Sequence, residues 1–270
     1  MNSWCVSNVT DMSYLFYSMA FNENISSWDV SGVTNMNGMF QYAYAFNGNL
    51  SGWDVSMVTS MSQMFYGAYA FNGDISGWDV SGVTNMIGMF QYAYVFNGDI
   101  SGWDVSSVTD MSHMFLHATV FNGNLSGWDV SSVTNMNGMF QYTSAFNGDI
   151  SGWDVSRVTS MSQMFYGAQA FNGDISLWNI ARVTNMVQMF ADTQVFDGDV
   201  SGWDVSGVTS MYQMFYGAKA FNQNLCSWSS IFSYSSSPRS IFTLSNCTFT
   251  SDPILETRGP FCASNNCPVL

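Results

Sequence analysis

Apolar positions along this chain recur in two alternating local patterns. Ile25, Trp28 and Val30 flank outward polar residues, with Trp and Val on either side of Asp29, as a short strand requires. Val33, Met36, Met39, Phe40 and Ala43 then recur at steps of three and four, which predicts one apolar face of a short helix. Thr34 sits where a helix N-cap belongs, and Thr recurs at that place from 10 to 209. Asn47-Gly48 supplies a tight turn towards the next strand. One strand, one helix and one return loop make a coil, and no coil can bury its apolar face alone. Stacking does that. The pattern therefore predicts an α/β solenoid with one short parallel strand and one short helix per coil.

The period is 25 residues. Trp28, Trp53, Trp78, Trp103, Trp128, Trp153, Trp178, Trp203 and Trp228 keep that step, and so does the Phe column from Phe46 to Phe221. The unit reads WDVSxVTxMxxMFxxAxxFNGDISG and runs from Trp4 to about Trp228, with a first unit one residue short. A second-order pattern is present. NMNGMFQY at 35–42 and 135–142 alternates with SMSQMFYGA at 60–68 and 160–168, which suggests duplication in blocks of two. These residues predict about nine coils over 1–228, in a rod or shallow arc on the order of 45 Å long.

The VTxMxxMF and FNGDISxWDVS stretches closely resemble the BspA-type leucine-rich-repeat surface proteins, over about 225 of the 270 residues. The resemblance implies a leucine-rich-repeat fold and a secreted or cell-surface protein, often linked to adhesion to host, matrix or neighbouring cells. It brings no catalytic residues with it. The heavy use of Trp at the strand position and the tail after Trp228 depart from the family's pattern.

Composition narrows the partners. Charged residues are 9% of the chain against roughly 25% in an average soluble domain. Only 5 basic residues face 19 acidic ones, for a net charge of −14. A field of that sign repels phosphate backbones and anionic membranes, so nucleic acid and direct lipid binding are not expected. No apolar run is long enough to span a bilayer.

After Trp228 the period stops, the composition turns Ser-rich and Cys226, Cys247, Cys262 and Cys267 crowd together. A stack end exposes an apolar face and an unpaired edge, and a short loop-rich lid gains most from disulfides. Residues 229–270 are therefore expected to form a disulfide-bonded cap, with all three connectivities open. Such bridges would place the protein outside the cytosol. Cys5 is the odd cysteine, at an outward position, and Met1 falls on the buried position of Ile25, so the chain reads as starting inside a repeat.

Outward positions form columns. Asp29, Asp54, Asp79, Asp104, Asp129, Asp154 and Asp204 make one, interrupted by Asn179; Asp74, Asp99, Asp149, Asp174 and Asp199 make another, with Asn24, Asn49, Asn124 and Asn224 in the other coils. Stacked carboxylates repel unless solvated, hydrogen-bonded or bridged by cations. Calcium would bridge them, but no loop has the ligand density of a dedicated calcium site, so hydrogen bonding to Ser, Thr and backbone is the favoured reading and no cofactor is expected. The Asn column from Asn22 to Asn222 is expected to satisfy the backbone from buried positions. Asn8, Asn24, Asn49, Asn124 and Asn246 head N-glycosylation sequons.

Catalysis finds no foothold. His113 and His117 lie four apart in one coil, a spacing that can hold a metal, but they read as surface variation at the Gln63 and Gly67 positions. Tyr44, Tyr69, Thr119 and Gln169 vary between coils and suit weak recognition of glycans or proteins. Two functions follow as expectations. One is a non-enzymatic extracellular module binding a protein or glycan. The other is a structural subunit that assembles head to tail with itself into a filament or matrix.

Overall fold

The computed structural model describes residues 6–233, 239–255, 258–263 and 267, so the expectations for Met1 and Cys5 fall outside the described residues. Over these residues the chain winds into stacked coils of 25 residues, but the coils are not built as the pattern predicts. Among the described residues there is no α-helix and no named strand, and one 3₁₀-helix, Cys226–Ser230, lies at the end of the last full repeat. An α/β leucine-rich-repeat solenoid with a strand and a helix in each coil is thereby overturned.

The misreading has a physical cause. In the second coil the carbonyls of Ile25, Val30, Met36, Phe40 and Ala43 accept from the N–H groups of Trp28, Val33, Met39, Ala43 and Phe46, at 2.9–3.2 Å. Each bond closes a β-turn, and the apolar residues are the first and last of those turns. A spacing of three is thus turn geometry rather than helix geometry, and each coil turns the ends of its successive turns inward. Trp28, Val33, Met36, Met39, Phe40, Ala43 and Phe46 are all buried there, and their equivalents form one continuous core through the stack.

Where the helix was expected, alternate peptide groups bond to the next coil. Met36, Gly38, Phe40 and Tyr42 donate to the carbonyls of Ser60, Ser62, Met64 and Tyr66 at 2.7–3.1 Å. The arrangement repeats along the stack, and one parallel bridge per coil joins Asp11, Asn35, Ser60, Asn85, Asp110, Asn135, Ser160, Asn185 and Ser210. The sheet-like pairing therefore sits after the Thr column, not at Ile25–Val30. Thr34, given a helix-capping role by the sequence, instead donates through both its N–H and its Oγ1 to the carbonyl of Thr10, and each later Thr repeats this on its predecessor.

The Trp column is held by a polar bond inside an apolar core. Trp53 Nε1 donates to the carbonyl of Ile25 at 3.2 Å, and each Trp through Trp228 reaches the equivalent carbonyl of the preceding coil. Phe rings stack in two inner columns: Phe40 lies 5.5 Å from Phe65 in the next coil and 4.0 Å from Phe46 in its own. A buried indole needs a partner for its N–H, and the turn carbonyl, which already accepts from the Trp N–H of its own turn, takes it on its second lone pair.

The tail completes the last coil. Gln213, Phe215 and Gly217 donate to the carbonyls of Arg239, Ile241 and Thr243, as though 239–243 were a further rung. Phe242 stacks 5.9 Å from Phe215, and Asp252 holds the segment by accepting from the N–H groups of Ser240 and Ile241. The disulfide Cys226–Cys267 ties the tail to the final coil, and Cys247–Cys262 joins two segments of the tail to each other. No helix among the described residues is long and apolar enough to cross a membrane.

Candidate binding surface

Each coil places two residues four apart in the left-handed backbone region, among them Gly38 and Tyr42, Gln63 and Gly67, Gly88 and Tyr92, His113 and His117, Gly138 and Tyr142, and Gln163 and Gly167. They are the third residues of the β-turns, where a positive φ is required. Glycine alone would be the easy choice, yet most coils put a large side chain at one of the two. Tyr14, Tyr42, Gln63, His113, Tyr142 and Asp192 each lie over a glycine of the following coil. A Cβ on Gly67 would stand 2.7 Å from Cδ1 of Tyr42, and one on Gly167 would stand 2.5 Å from Cδ1 of Tyr142. The rings of Tyr14 and His113 crowd Gly38 and Gly138 in the same way. The two-coil alternation in the sequence is this reciprocal packing.

The outcome is an aromatic ladder along one side of the stack. Tyr17, Tyr42, Tyr66, Tyr92, His117, Tyr142 and Tyr166 follow one another with ring centroids 4.6–5.9 Å apart. Burial and then the hydrogen bond with Tyr42 push the Tyr66 phenol well above its ordinary range; for Tyr166 the bond with Tyr142 comes first and burial second. Beside this half-buried ladder runs an outer row. Tyr44 and Tyr69 lie 5.2 Å apart and Tyr69 and Tyr94 5.0 Å apart, at 45%, 39% and 37% exposure. Further along, Thr119, Ser144, Gln169 and Gln194 take the place of the tyrosines. The outer row was legible in the sequence; the inner ladder was missed, although FQY and FYG alternating between coils carried its signal.

The acidic columns are occupied within their own turns. Asp29 Oδ1 accepts from the Ser31 hydroxyl at 2.6 Å and its N–H at 3.2 Å, and Asp54, Asp79, Asp104, Asp129, Asp154 and Asp204 each hold the serine two residues on. The serine hydroxyl, then its N–H, hold the Asp29, Asp54, Asp79, Asp129, Asp154 and Asp204 carboxyls below the ordinary range. Asp74 and Asp99 close the same Asx-turn in the second column, and so do Asn24, Asn49 and Asn124. Among the described residues no group of three His, Cys, Asp or Glu is placed to hold a metal ion.

The Asn column acts on the backbone: Asn22 Oδ1 accepts from the Asn47 N–H at 2.9 Å, Asn47 from Asn72, and Asp197 fills the role towards Asn222. These residues are exposed rather than buried, since the groups they satisfy lie at an outer corner of the coil. All five sequon asparagines are exposed too. Of these, Asn246 is the most engaged, with its N–H on the Ala218 carbonyl and its Nδ2 on the Ala220 carbonyl. His117 is part of the ladder, stacked between Tyr92 and Tyr142, and burial lowers its pKa; His113, over Gly138, is lowered by burial against the opposing pull of Asp110. Neither is plain surface variation.

Residues 1–97, 73–160 and 143–246 match, in three overlapping segments, the family described as Mycoplasma protein of unknown function, DUF285. The chain belongs to this family. Its tandem segments fit a repeat protein, and the family's description assigns no activity. No curated protein matches the chain.

Proposed function

We propose that the chain is a non-enzymatic extracellular or cell-surface protein that binds a protein or glycan, in the manner implied by its resemblance to BspA-type surface repeats. The carrying observation is the exposed row Tyr44, Tyr69 and Tyr94, backed by a rigid half-buried ladder and repeated at the pitch of the coils. Tyrosine offers large, amphipathic contact area at little conformational cost, so a fixed row of it suits many weak contacts with an extended partner. Two disulfides support an oxidising location, where such bonds persist.

Head-to-tail assembly is the second reading, and it gains least from the C-terminal end. There the tail already takes up the donors of Gln213, Phe215 and Gly217.

The test is binding of the purified chain to a panel of matrix proteins and uncharged polysaccharides, read by surface plasmon resonance. Saturable binding that a Y44A/Y69A/Y94A variant loses at least tenfold supports the reading. Binding unchanged in that variant, or none across the panel, counts against it.

A further inference from the structure

We infer that Tyr44, Tyr69 and Tyr94 form a site of oxidative cross-linking, in which dityrosine bonds staple three successive coils. The three phenols are exposed, lie in one column, and stand 5.2 and 5.0 Å apart by ring centroid, at interplanar angles of 37° and 33°. The inter-coil hydrogen bonds of the neighbouring residues fix this spacing: Tyr42 donates to the Tyr66 carbonyl and Ala70 to the Tyr44 carbonyl. Two tyrosyl radicals formed there would be held together, so coupling becomes an intramolecular event with a high effective concentration.

The chemistry needs a one-electron oxidant, for which an extracellular haem peroxidase using hydrogen peroxide is the class. Each of two phenols gives up one electron and its phenolic proton. The radicals join through ortho carbons, and each ortho proton moves to its phenoxyl oxygen as the ring regains aromaticity. Two electrons and two protons leave in total, and they convert one hydrogen peroxide to two waters. Tyr69 has two ortho carbons and a neighbour on each side, so it is the hub. Tyr44 and Tyr94 are two coils apart and cannot join without it. The disulfides fasten only the C-terminal end of the stack, and this staple would fasten coils that no cystine reaches. Constraining a loop of this length stabilises by limiting the unfolded chain, as a disulfide does.

The experiment treats dilute, folded full-length protein with peroxidase and limiting hydrogen peroxide, then follows dityrosine fluorescence and maps cross-linked peptides by mass spectrometry. Expected products join Tyr44 to Tyr69 and Tyr69 to Tyr94, each two hydrogens lighter than the parent pair, with a yield per chain independent of protein concentration. Tyr69→Phe keeps the ring and is expected to lower the intrachain yield at least fivefold. Tyr212→Phe serves as control, because Tyr212 is 40% exposed with no ring contact among the described residues, and should leave the yield unchanged. Cross-links confined to the inner ladder, a yield rising with protein concentration, or an unchanged yield in Tyr69→Phe would each overturn the assignment. The readout is a covalent bond rather than binding, so it stands or falls apart from the proposed recognition role.

Discussion

Tyr42 and Gly67 are a matched pair across two coils: the ring of one occupies the space in which a side chain on the other would begin. Gly67 also has a φ of +66°, so it meets two demands at once. Gly67→Ala is expected to lower stability by about 1–3 kcal/mol through overpacking and backbone strain. A Tyr42→Ala partner mutation should recover the overpacking part alone. Gly77→Ala, where nothing lies within 4 Å of the added Cβ, should stay within about 0.5 kcal/mol of the parent. Denaturant titrations of the three variants check this.

Removing a single indole N–H tests the Trp column. Trp103→Phe keeps an aromatic ring but removes one of the two donors on the Ile75 carbonyl, Trp103 Nε1 at 3.1 Å, and leaves it the Trp78 N–H of its own turn at 3.2 Å. The expected loss is about 0.5–1.5 kcal/mol from the lost hydrogen bond, with a further contribution from lost packing. A change in melting temperature indistinguishable from that of an exposed Ser107→Ala control would show that the bond contributes nothing.

Protonation should destabilise the histidine coil. His113 and His117 both titrate below their ordinary value in the folded chain because burial disfavours the charged ring. The unfolded chain therefore binds protons first as pH falls. Stability is complete above about pH 6.5 and declines as pH drops from there through the folded values. Replacing His117 by Phe keeps the stack between Tyr92 and Tyr142 and should flatten part of that decline in a series of thermal melts. The lowered Asp carboxyls act in the same direction at lower pH, below their ordinary value of 3.8.

Reduction should loosen the tail before the stack. The Cys226–Cys267 and Cys247–Cys262 bridges have sequence separations of 41 and 15 residues, and a bridge of this kind typically contributes about 2–4 kcal/mol. Hydrogen exchange is the direct readout. The N–H groups of Gln213, Phe215 and Gly217, which donate into 239–243, should lose protection on reduction, while Phe90 and Phe140 keep theirs. Loss of protection along the whole stack would instead make the tail an obligate part of the fold.

Repetition was the legible part of this sequence. The Trp and Phe columns, the inward apolar set and the stacking all follow from a period of 25, because no coil can bury its core side chains alone. Local structure was not legible, since β-turns closing every three residues give apolar spacings that a helix also gives. What separates the two is the chemistry at the third turn position. Gly38, Gly67, Gly88 and Gly138 recur where a helix would take a strong helix former, and Asp29 and Ser31 form an Asx-turn where a strand would alternate. For the surface, Tyr44 and Tyr69 could be read as outward, but Tyr42, Tyr66 and His117 could be joined into a ladder only once their neighbours in space were known.

The ring-over-glycine packing sets a rule for how this chain can lengthen or shorten. Excising one 25-residue coil, for instance 61–85, would bring the position of Tyr42 directly beneath Tyr92, two bulky residues where the stack accommodates a ring and a glycine. Excising two coils, for instance 86–135, would keep the alternation, setting Gln63 over Gly138 as it now lies over Gly88. Where bulky residues already follow in succession, Tyr92, His117 and Tyr142 are bridged by a flat imidazole lying within 15° of both phenol planes, and Gln163, Gln188 and Gln213 by amide hydrogen bonds of 2.8 and 2.9 Å. Changes in length are therefore expected to come in even numbers of coils, with a stacked ring or a hydrogen-bonded amide run needed where an odd number is lost.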